Sequence, residues 1–382
     1  MNQRFYSLDV FRGATVALMI LVNNPGSWGH IFAPLEHASW HGCTPTDLVF
    51  PFFLFAVGNA MAFVLPRLEE KNIFWQKVIK RTLLILLIGL LLNWFPFIKY
   101  NNAGSIIMKP FANLRFFGVL QRIALCYFCA AVIIHFFKVR GAFVVGCSIL
   151  LVYWLLCVAT NPLDSFSIKG WYGTLLDIKL FGAKHIYSGE GVPFDPESLF
   201  SIFAAISQVI FGYLIGNYIL TKGKTHEMLN GLFIAGCVFI FAGFCWDMVL
   251  PINKKIWTSS YTIYTTGLAL IVLSVLIYLI EFKNNRGGWT KFFDVFGKNA
   301  LFIFVLSGAL PRLLGLIRIS NGFTPEGKAK YLSPFSWFYE NVCKLIFPSD
   351  PRIGSFFYAL CFIGVMWFFA WVLNKKKIYI KV

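Results

Sequence analysis

The feature that most constrains this fold is a series of long apolar blocks that alternate with shorter polar connections. Each block has roughly 18–22 residues, the length that an α-helix needs to cross the hydrocarbon core of a bilayer. Hydrophobic residues make up 58% of the 382 residues and charged residues only 13%, whereas soluble domains are about 45–50% apolar and about 25% charged. The sequence therefore predicts an all-α polytopic membrane protein with one transmembrane domain over residues 1–382.

Ten blocks are predicted to cross the membrane: 8–23, 47–65, 82–97, 116–137, 141–160, 199–220, 228–247, 259–280, 291–310 and 353–374. Short cytoplasmic loops carry an excess of Lys and Arg, so the basic connections predict the orientation. These connections are 66–81, 138–140, 222–224, 283–286 and 375–377. Ten crossings place all of them, and both termini, in the cytoplasm. The aromatic stretch 335–347 is too short for a comfortable crossing and is predicted to be re-entrant or interfacial.

The net charge of +17 is explained by these basic connections, so a nucleic-acid partner is excluded and the lipid bilayer is the expected environment. Most of the nine cysteines lie inside apolar blocks, and no disulfide framework or metal site is predicted. Cys126 and Cys129 form a CxxC motif, but on a membrane helix they are interpreted as packing residues.

A polar loop over residues 24–46 precedes the second predicted span. It contains His37 and His41, four residues apart, and Asp47 follows at the start of the span. The long loops 161–198 and 311–352 lie on the same predicted outer side, and long loops on one face often build a binding site. Simpler interpretations are a solvated loop residue for both histidines and a helix N-terminal cap for Asp47.

Several polar residues lie within the predicted spans, where they are costly unless they pair or face a cavity. Asp9 and Arg12 share a helix face and are predicted to pair with each other or to contact an anionic ligand. Asn23 ends the first span, where capping is the simpler interpretation. Lys298 can extend to the cytoplasmic surface or face a polar tunnel. The other such residues are Gln121, Arg122, Ser207, Gln208 and Asn299.

Motifs spread over most of the chain carry a family resemblance. They are residues 7–13 (SLDVFRG), 22–24 (VNN), 37–42 (HASWHG), 47–51 (DLVFP), 118–122 (GVLQR), 194–197 (FDPE), 253–257 (NKKIW), 260–261 (SY) and 297–299 (GKN). Together, and in this order, they resemble the heparan-α-glucosaminide N-acetyltransferase family.

The resemblance implies a transmembrane acetyltransferase that moves an acetyl group from cytoplasmic acetyl-CoA to the amine of a glucosamine-type sugar on the outer side. The family's active histidine matches His37, and its asparagine at the end of the first shared span matches Asn23. Asp47 is expected to orient His37. The expected donor contacts are Arg12, Gln121, Arg122, Lys298 and Asn299. The expected acceptor contacts are His41, Asp195, Glu197 and Trp257.

Two other functions fit the same features. A transporter of an amino sugar or another polar solute also needs polar residues and broken helices in the membrane. An O-acetyltransferase of envelope polysaccharide would share the donor chemistry. Because the chain lacks the family's large luminal N-terminal region, we expect a bacterial inner-membrane protein. Direct transfer and an acetyl-histidine intermediate both remain open, as do a monomer and a homodimer.

Overall fold

The computed structural model describes residues 5–67, 70–101, 104–323 and 329–380, without the side chains of Arg67 and Lys71. Residues 324–328 of the predicted outer loop 311–352 lie outside this part. The long helices are α1 (Tyr6–Asn23), α2 (Val49–Val64), α3 (Lys71–Trp94), α4 (Val119–Thr160), α6 (Ile202–Lys222), α7 (His226–Asp247), α8 (Ser259–Ile277) and α13 (Pro351–Lys375). The shorter elements are β1 (Ile98–Tyr100), β2 (Ile106–Met108), α5 (Tyr172–Phe181), α9 (Gly288–Lys298), α10 (Ala300–Leu314), β3 (Ile319–Phe323), β4 (Ala329–Leu332), α11 (Pro334–Phe338) and α12 (Lys344–Ile346).

Seven helical segments of the described chain are long and apolar enough to cross a membrane, and α9 with α10 forms an eighth candidate if the bent pair is one span. The protein is thus a mostly helical chain with several membrane-spanning candidates. The longest, α4, has 42 residues and is interrupted at Lys138, whose φ is 56° and ψ is −166°. This interruption coincides with the predicted basic connection 138–140. The count of ten crossings and the cytoplasmic termini stay predictions.

Three expectations about the elements are corrected. The predicted loop 66–81 is largely helical, because α3 begins at Lys71 and Lys, Arg and Gln are good helix formers. The predicted span 291–310 is not one straight helix, since α9 and α10 meet at an 80° bend around Asn299. The all-α class omits two antiparallel hairpins, β1–β2 and β3–β4.

Cation–π contacts connect the two hairpins. The guanidinium of Arg318 lies 3.3 Å from the ring centroid of Tyr100 in β1 and 5.1 Å from that of Tyr331 in β4. Guanidinium groups within about 6 Å of an aromatic face are attracted to it. The hairpins therefore form a joint structure, although their short strands gave no clear signal in the sequence.

Glycines allow α2 and α6 to pack backbone against backbone. A Cβ on Gly58 would lie 2.0 Å from the carbonyl oxygen of Val209, and one on Gly212 would lie 2.2 Å from that of Phe55. Only glycine permits this approach, which is the way small residues pack membrane helices. The contact fixes α2, whose N-terminal end carries the polar loop with the candidate site.

Candidate active site

The turn before α2 holds Asp47 in a fixed position. Thr44 precedes Pro45 and forms a capping box with Asp47, whose Oδ2 accepts hydrogen bonds from the backbone N–H and the hydroxyl of Thr44, each at 3.0 Å. The buried hydroxyl of Tyr261 donates to the Asp47 carbonyl oxygen at 2.6 Å. The capping interpretation of Asp47 is therefore confirmed, and its other carboxylate oxygen remains available for a further contact.

That oxygen holds His37. The Nδ1 atom of His37 lies 2.7 Å from Asp47 Oδ1, and the backbone N–H of Ala38 donates to Oδ2 at 3.0 Å. The Asp47 side chain is 1% exposed and that of His37 is 41% exposed. A buried acid thus orients an imidazole whose ring faces accessible space.

A turn between α7 and α8 brings Lys254 to the same place. Its Nζ atom lies 3.0 Å from Nδ1 and 3.2 Å from Nε2 of His37, and 3.6 Å from Asp47 Oδ1. The buried Asn253 supports the turn, since its Oδ1 accepts from Ile256 N–H at 3.1 Å. Burial lowers the pKa of Lys254, and the carboxylates of Asp47 and Glu197 oppose this decrease.

These groups share one cavity of about 300 Å³. Its polar and charged lining includes Asn23, His37, Asp47, Lys254 and Glu197, whereas its apolar wall comes from α1, α2, α4 and α10. The structure therefore brings together all three residues expected to be catalytic. Pockets with an apolar wall and a few convergent polar groups are typical of small-molecule sites.

Arg115 holds the acidic residues that precede α6. Its Nε and Nη2 atoms bind the two oxygens of Asp195 at 2.8 and 2.6 Å, and Nη2 also pairs with Glu197. Burial raises the pKa of Asp195, but the hydrogen bonds and charge of Arg115 reverse this and lower it. Asp195 is 2% exposed and does not line the cavity, whereas Glu197 does.

Four other expected contacts lie away from this cavity. Arg122 is 1% exposed, bonds to the Pro196 carbonyl at 2.7 Å, and lies 4.8 Å from the ring centroid of Trp257. Both side chains are buried outside the cavity lining, where they connect α4 to the turn that carries Lys254. His41 faces a separate surface groove, and Gln121 lines an adjoining cavity.

The remaining expected donor contacts lie around α1, α9 and the C-terminal segment. Arg12 pairs with Asp9 at 2.8 Å, which is one of the two roles expected for them, and donates to the Gly297 carbonyl. Lys298 pairs with Asp294 at 2.6 Å. The amide of Asn299 donates to Ile378 O at 3.1 Å and accepts from Ile380 N–H at 2.8 Å. This set forms a second polar cluster, and none of its members lines the His37 cavity.

A sequence model of the catalytic region of heparan-alpha-glucosaminide N-acetyltransferase matches residues 4–243. The chain belongs to this family. Curated relatives are the human and mouse heparan-alpha-glucosaminide N-acetyltransferases, each 24% identical over 358 residues and matching 79% of this chain. The match covers 52% of the human protein and 53% of the mouse protein, so the chain spans about half the length of these relatives. Asn23, His37 and Asp47 lie inside the region that the family model matches.

The sequence interpretation missed three residues of this acetyltransferase-family site. Lys254 touches His37, Tyr261 fixes Asp47, and Arg115 lines the cavity. A signal for Lys254 was present, because a pair of lysines on the side predicted to be outside departs from the positive-inside rule. Arg115 lies in an irregular connection, and nothing in its local sequence indicates the carboxylates that it binds.

Proposed function

We propose that this protein is a transmembrane acetyltransferase that transfers the acetyl group of acetyl-CoA to the amine of a glucosamine-type sugar. One observation carries the proposal: the imidazole of His37, held by Asp47, lies in one cavity with Asn23 and Lys254. Membership of the family supports the same chemistry. We also propose a bacterial inner membrane as its location.

The hydrogen bond to Asp47 favours one tautomer of His37. An ionised carboxylate only accepts hydrogen bonds, so Nδ1 carries the proton and Nε2 keeps its lone pair. The unprotonated Nε2 of this tautomer can take a proton from an amine near neutral pH once the substrate displaces Lys254 Nζ, which lies 3.2 Å away. His37 therefore serves as the base, and Asp47 serves as the residue that positions it.

Two routes of transfer fit this arrangement. In direct transfer the amine nitrogen bonds to the thioester carbonyl carbon, His37 takes the amine proton, and the C–S bond breaks to release the thiol. In the stepwise route His37 Nε2 bonds to the thioester carbonyl carbon while the C–S bond breaks and the thiolate leaves. The amine then displaces Nε2 from the acetyl carbon, and the freed Nε2 takes the amine proton. Both routes need a donor for the developing oxyanion. The Asn23 amide lines the cavity without a hydrogen-bond partner in the described structure, and the Lys254 ammonium is the second candidate.

We further propose that the donor enters from the cytoplasm and the acceptor from the outer side. In this arrangement Arg12 and Lys298 would face the CoA phosphates through the second polar cluster. Glu197 lines the His37 cavity, where a carboxylate favours a cationic amino sugar. Arg122 and Trp257 pack together outside the cavity lining and support the turn that carries Lys254.

A transporter is the second candidate, because the 80° bend between α9 and α10 resembles the broken helices of transporters. Purified protein in liposomes distinguishes the two functions when it is supplied with labelled acetyl-CoA and glucosamine. We expect an acetylated product, whereas flux of the sugar without product would support the transporter. Sugars with hydroxyl groups only would test O-acetylation in the same assay.

Replacing His37 by Ala tests the chemistry directly. We expect the rate of transfer to fall about 10²- to 10⁴-fold, the usual contribution of a general base, while acetyl-CoA binding is retained. His41→Ala is the matched control, since this exposed histidine of the same loop lies outside the cavity, and we expect it to keep most of the activity. Full activity of the His37 variant would end the proposal.

A further inference from the structure

Lys254 is a primary amine at the position that an acceptor amine must reach. Its Nζ atom lies 3.2 Å from His37 Nε2, and a base must stand about 2.6–3.2 Å from the nitrogen whose proton it removes. The Lys254 side chain is 19% exposed and lines the His37 cavity. The chain thus places one of its own amines where the proposed reaction requires the amine of a substrate.

Two opposing influences set the protonation state of Lys254. Burial lowers its pKa, which increases the fraction of neutral amine, the form that attacks a carbonyl carbon. The carboxylate of Asp47, whose Oδ1 atom lies 3.6 Å from Nζ, favours the ammonium form and keeps the side chain in the cavity. His37 is the adjacent base that can take the ammonium proton. The base that serves an acceptor can therefore also activate Lys254.

The neighbouring Lys255 lines the same cavity but is held differently. Its Nζ atom pairs with Glu190 at 2.7 Å and donates to the backbone carbonyl of Ser39 at 2.9 Å. Of the two lysines in this turn, Lys254 is the one that contacts the base. The pair therefore offers an internal comparison between two amines that share one cavity.

We propose that Lys254 is a self-acetylation site, modified at Nζ by acetyl-CoA when the cavity holds the donor without an acceptor. This inference rests on the proposed function and adds a covalent modification of the enzyme itself. Near-attack geometry requires about 3–3.5 Å between reacting atoms, so a thioester placed for an amine beside His37 is also placed for Nζ.

The reaction balances without a further reagent. His37 first passes the ammonium proton of Lys254 to water. The neutral Nζ atom then bonds to the thioester carbonyl carbon as the C–S bond breaks. The proton that Nζ loses goes to His37 Nε2 and from there to the departing thiolate, which leaves an amide at Lys254 and a free thiol. If the acetyl group is first carried by Nε2, Nζ displaces Nε2 from the acetyl carbon and the same amide forms.

Acetylation of Lys254 is expected to stop the enzyme. An amide, unlike an acetyl-imidazole, does not pass its acetyl group to an amine, so the modified lysine is not an intermediate. The modification removes a positive charge beside Asp47 and adds an acetyl group to a cavity of about 300 Å³, where the acceptor amine has to bind. An acceptor that displaces Nζ from His37 protects the lysine. The enzyme therefore loses activity when the donor is present alone.

The test incubates the purified protein with acetyl-CoA that carries an isotope-labelled acetyl group, and peptide mass spectrometry follows each lysine over time. An unlabelled acetyl group on Lys254 at the start counts as modification acquired in the cell. We expect Lys254 to react about 10²-fold faster than the exposed Lys184, which is the lower end of what a positioned base contributes. Lys255 should stay unmodified. His37→Ala should abolish the reaction at Lys254 but not the slow chemical reaction at Lys184.

A second measurement follows activity. After preincubation with acetyl-CoA, transfer to added glucosamine should decrease in proportion to the acetyl occupancy of Lys254, and glucosamine present from the start should prevent both changes. Lys254→Arg retains the positive charge but offers a guanidinium instead of an amine. We expect the rate of this variant, whatever its initial value, to be unaffected by the preincubation.

Two results would overturn the inference. One is an unmodified Lys254 in protein that acetylates glucosamine, which contradicts the self-acetylation site and leaves the proposed function intact. The other is equal modification of Lys254 and Lys184 that persists in His37→Ala, which assigns it to chemical acetylation in solution. Acetylation of Lys254 that needs His37, in a protein that never acetylates glucosamine, would retain the inference and contradict the proposed acceptor. Failure to acetylate either amine would contradict both proposals.

Discussion

At the residue scale, His37 is defined by the two side chains that contact it. Asp47 Oδ1 accepts a hydrogen bond from His37 Nδ1, and the Nζ atom of Lys254 lies within 3.2 Å of both ring nitrogens. Asp47 is itself fixed by the turn before α2 and by the hydroxyl of Tyr261. The imidazole therefore has an orientation set by residues from two distant parts of the chain, which is the type of preorganisation that catalysis requires.

Asn23 provides the first residue-scale prediction. Because its amide lines the His37 cavity, Asn23→Ala should remove a donor to the developing oxyanion. We expect kcat to fall about 10²–10³-fold, as for other oxyanion donors, with a smaller change in KM for either substrate. Steady-state kinetics with both substrates varied will measure this. A pure rise in KM would contradict the assignment.

Asp177 on α5 provides a prediction about pH. It is 1% exposed, and burial raises its pKa to about 6, with Asp195 adding to the increase and hydrogen bonds from Ser198 and Leu199 opposing it. The unfolded carboxyl ionises near pH 4. Above about pH 6 the folded protein must hold a buried carboxylate, so Asp177 reduces stability there, and this penalty disappears as the pH falls toward 4.

We therefore expect Asp177→Asn to increase the free energy of unfolding near pH 7.5 by up to about 2 kcal/mol. Thermal unfolding of the detergent-solubilised protein will measure this as a higher midpoint temperature. The gain should shrink steadily as the pH is lowered through 6. Asp164→Asn is the control, because Asp164 is exposed. A stabilisation that is equally large near pH 4.5 would contradict this explanation.

At the element scale, the contact between α2 and α6 determines where the site stands. Gly58 and Gly212 let the two backbones touch, and α2 begins two residues after Asp47. Elements that carry few polar groups thus still control the geometry of the polar site. The bend between α9 and α10 has a similar effect. It places the buried amide of Asn299 against the C-terminal segment, where it bonds to the backbone of Ile378 and Ile380.

Gly212→Ala tests the helix contact. The added Cβ would lie 2.2 Å from the carbonyl oxygen of Phe55, so the helices must separate. We expect a loss of roughly 1–3 kcal/mol in stability, as for other overpacked positions, and a parallel loss of activity. Gly364→Ala on α13 is the matched control: its Cβ meets no atom within 4 Å, and we expect it to be neutral or stabilising. Equal effects of the two substitutions would contradict the role of close packing.

At the scale of the whole molecule, the proposed function requires that the His37 loop and the basic connections lie on opposite sides of the membrane. Both polar clusters belong to one helical bundle, but their separation by the bilayer is a prediction from charge alone. Transfer across the membrane depends on this arrangement, whereas the chemistry at His37 does not.

Cysteine labelling tests the topology. In a variant without the nine native cysteines, Glu36→Cys reports on the His37 loop and Lys222→Cys on the end of α6. We expect a membrane-impermeant maleimide to label position 36 in intact cells and position 222 only after permeabilisation. The reverse pattern would exclude transfer from the cytoplasm to the outer side.

Much of the architecture follows from the sequence, because the information is local. Hydropathy and block length place α1, α2, α6, α7, α8 and α13 within a few residues of their observed ends. They do not predict the early start of α3, since helix-forming residues continue through the predicted loop. They also do not predict the bend at Asn299, since apolar residues lie on both sides of it. The hairpins were missed for a different reason. Pairs of short strands are stabilised mainly by their surroundings, so their own sequence carries only a weak signal.

The sequence by itself determined the helical membrane class, the family motifs and the choice of Asn23, His37 and Asp47. Only the tertiary structure decided that Lys254, 217 positions away from His37, stands beside its ring, and that Arg115 rather than a substrate holds Asp195. It also decided that Arg122 and Trp257 are buried supports. The reason is physical: hydropathy and motif spacing act along the chain, whereas these contacts depend on how helices that are distant in sequence pack against each other.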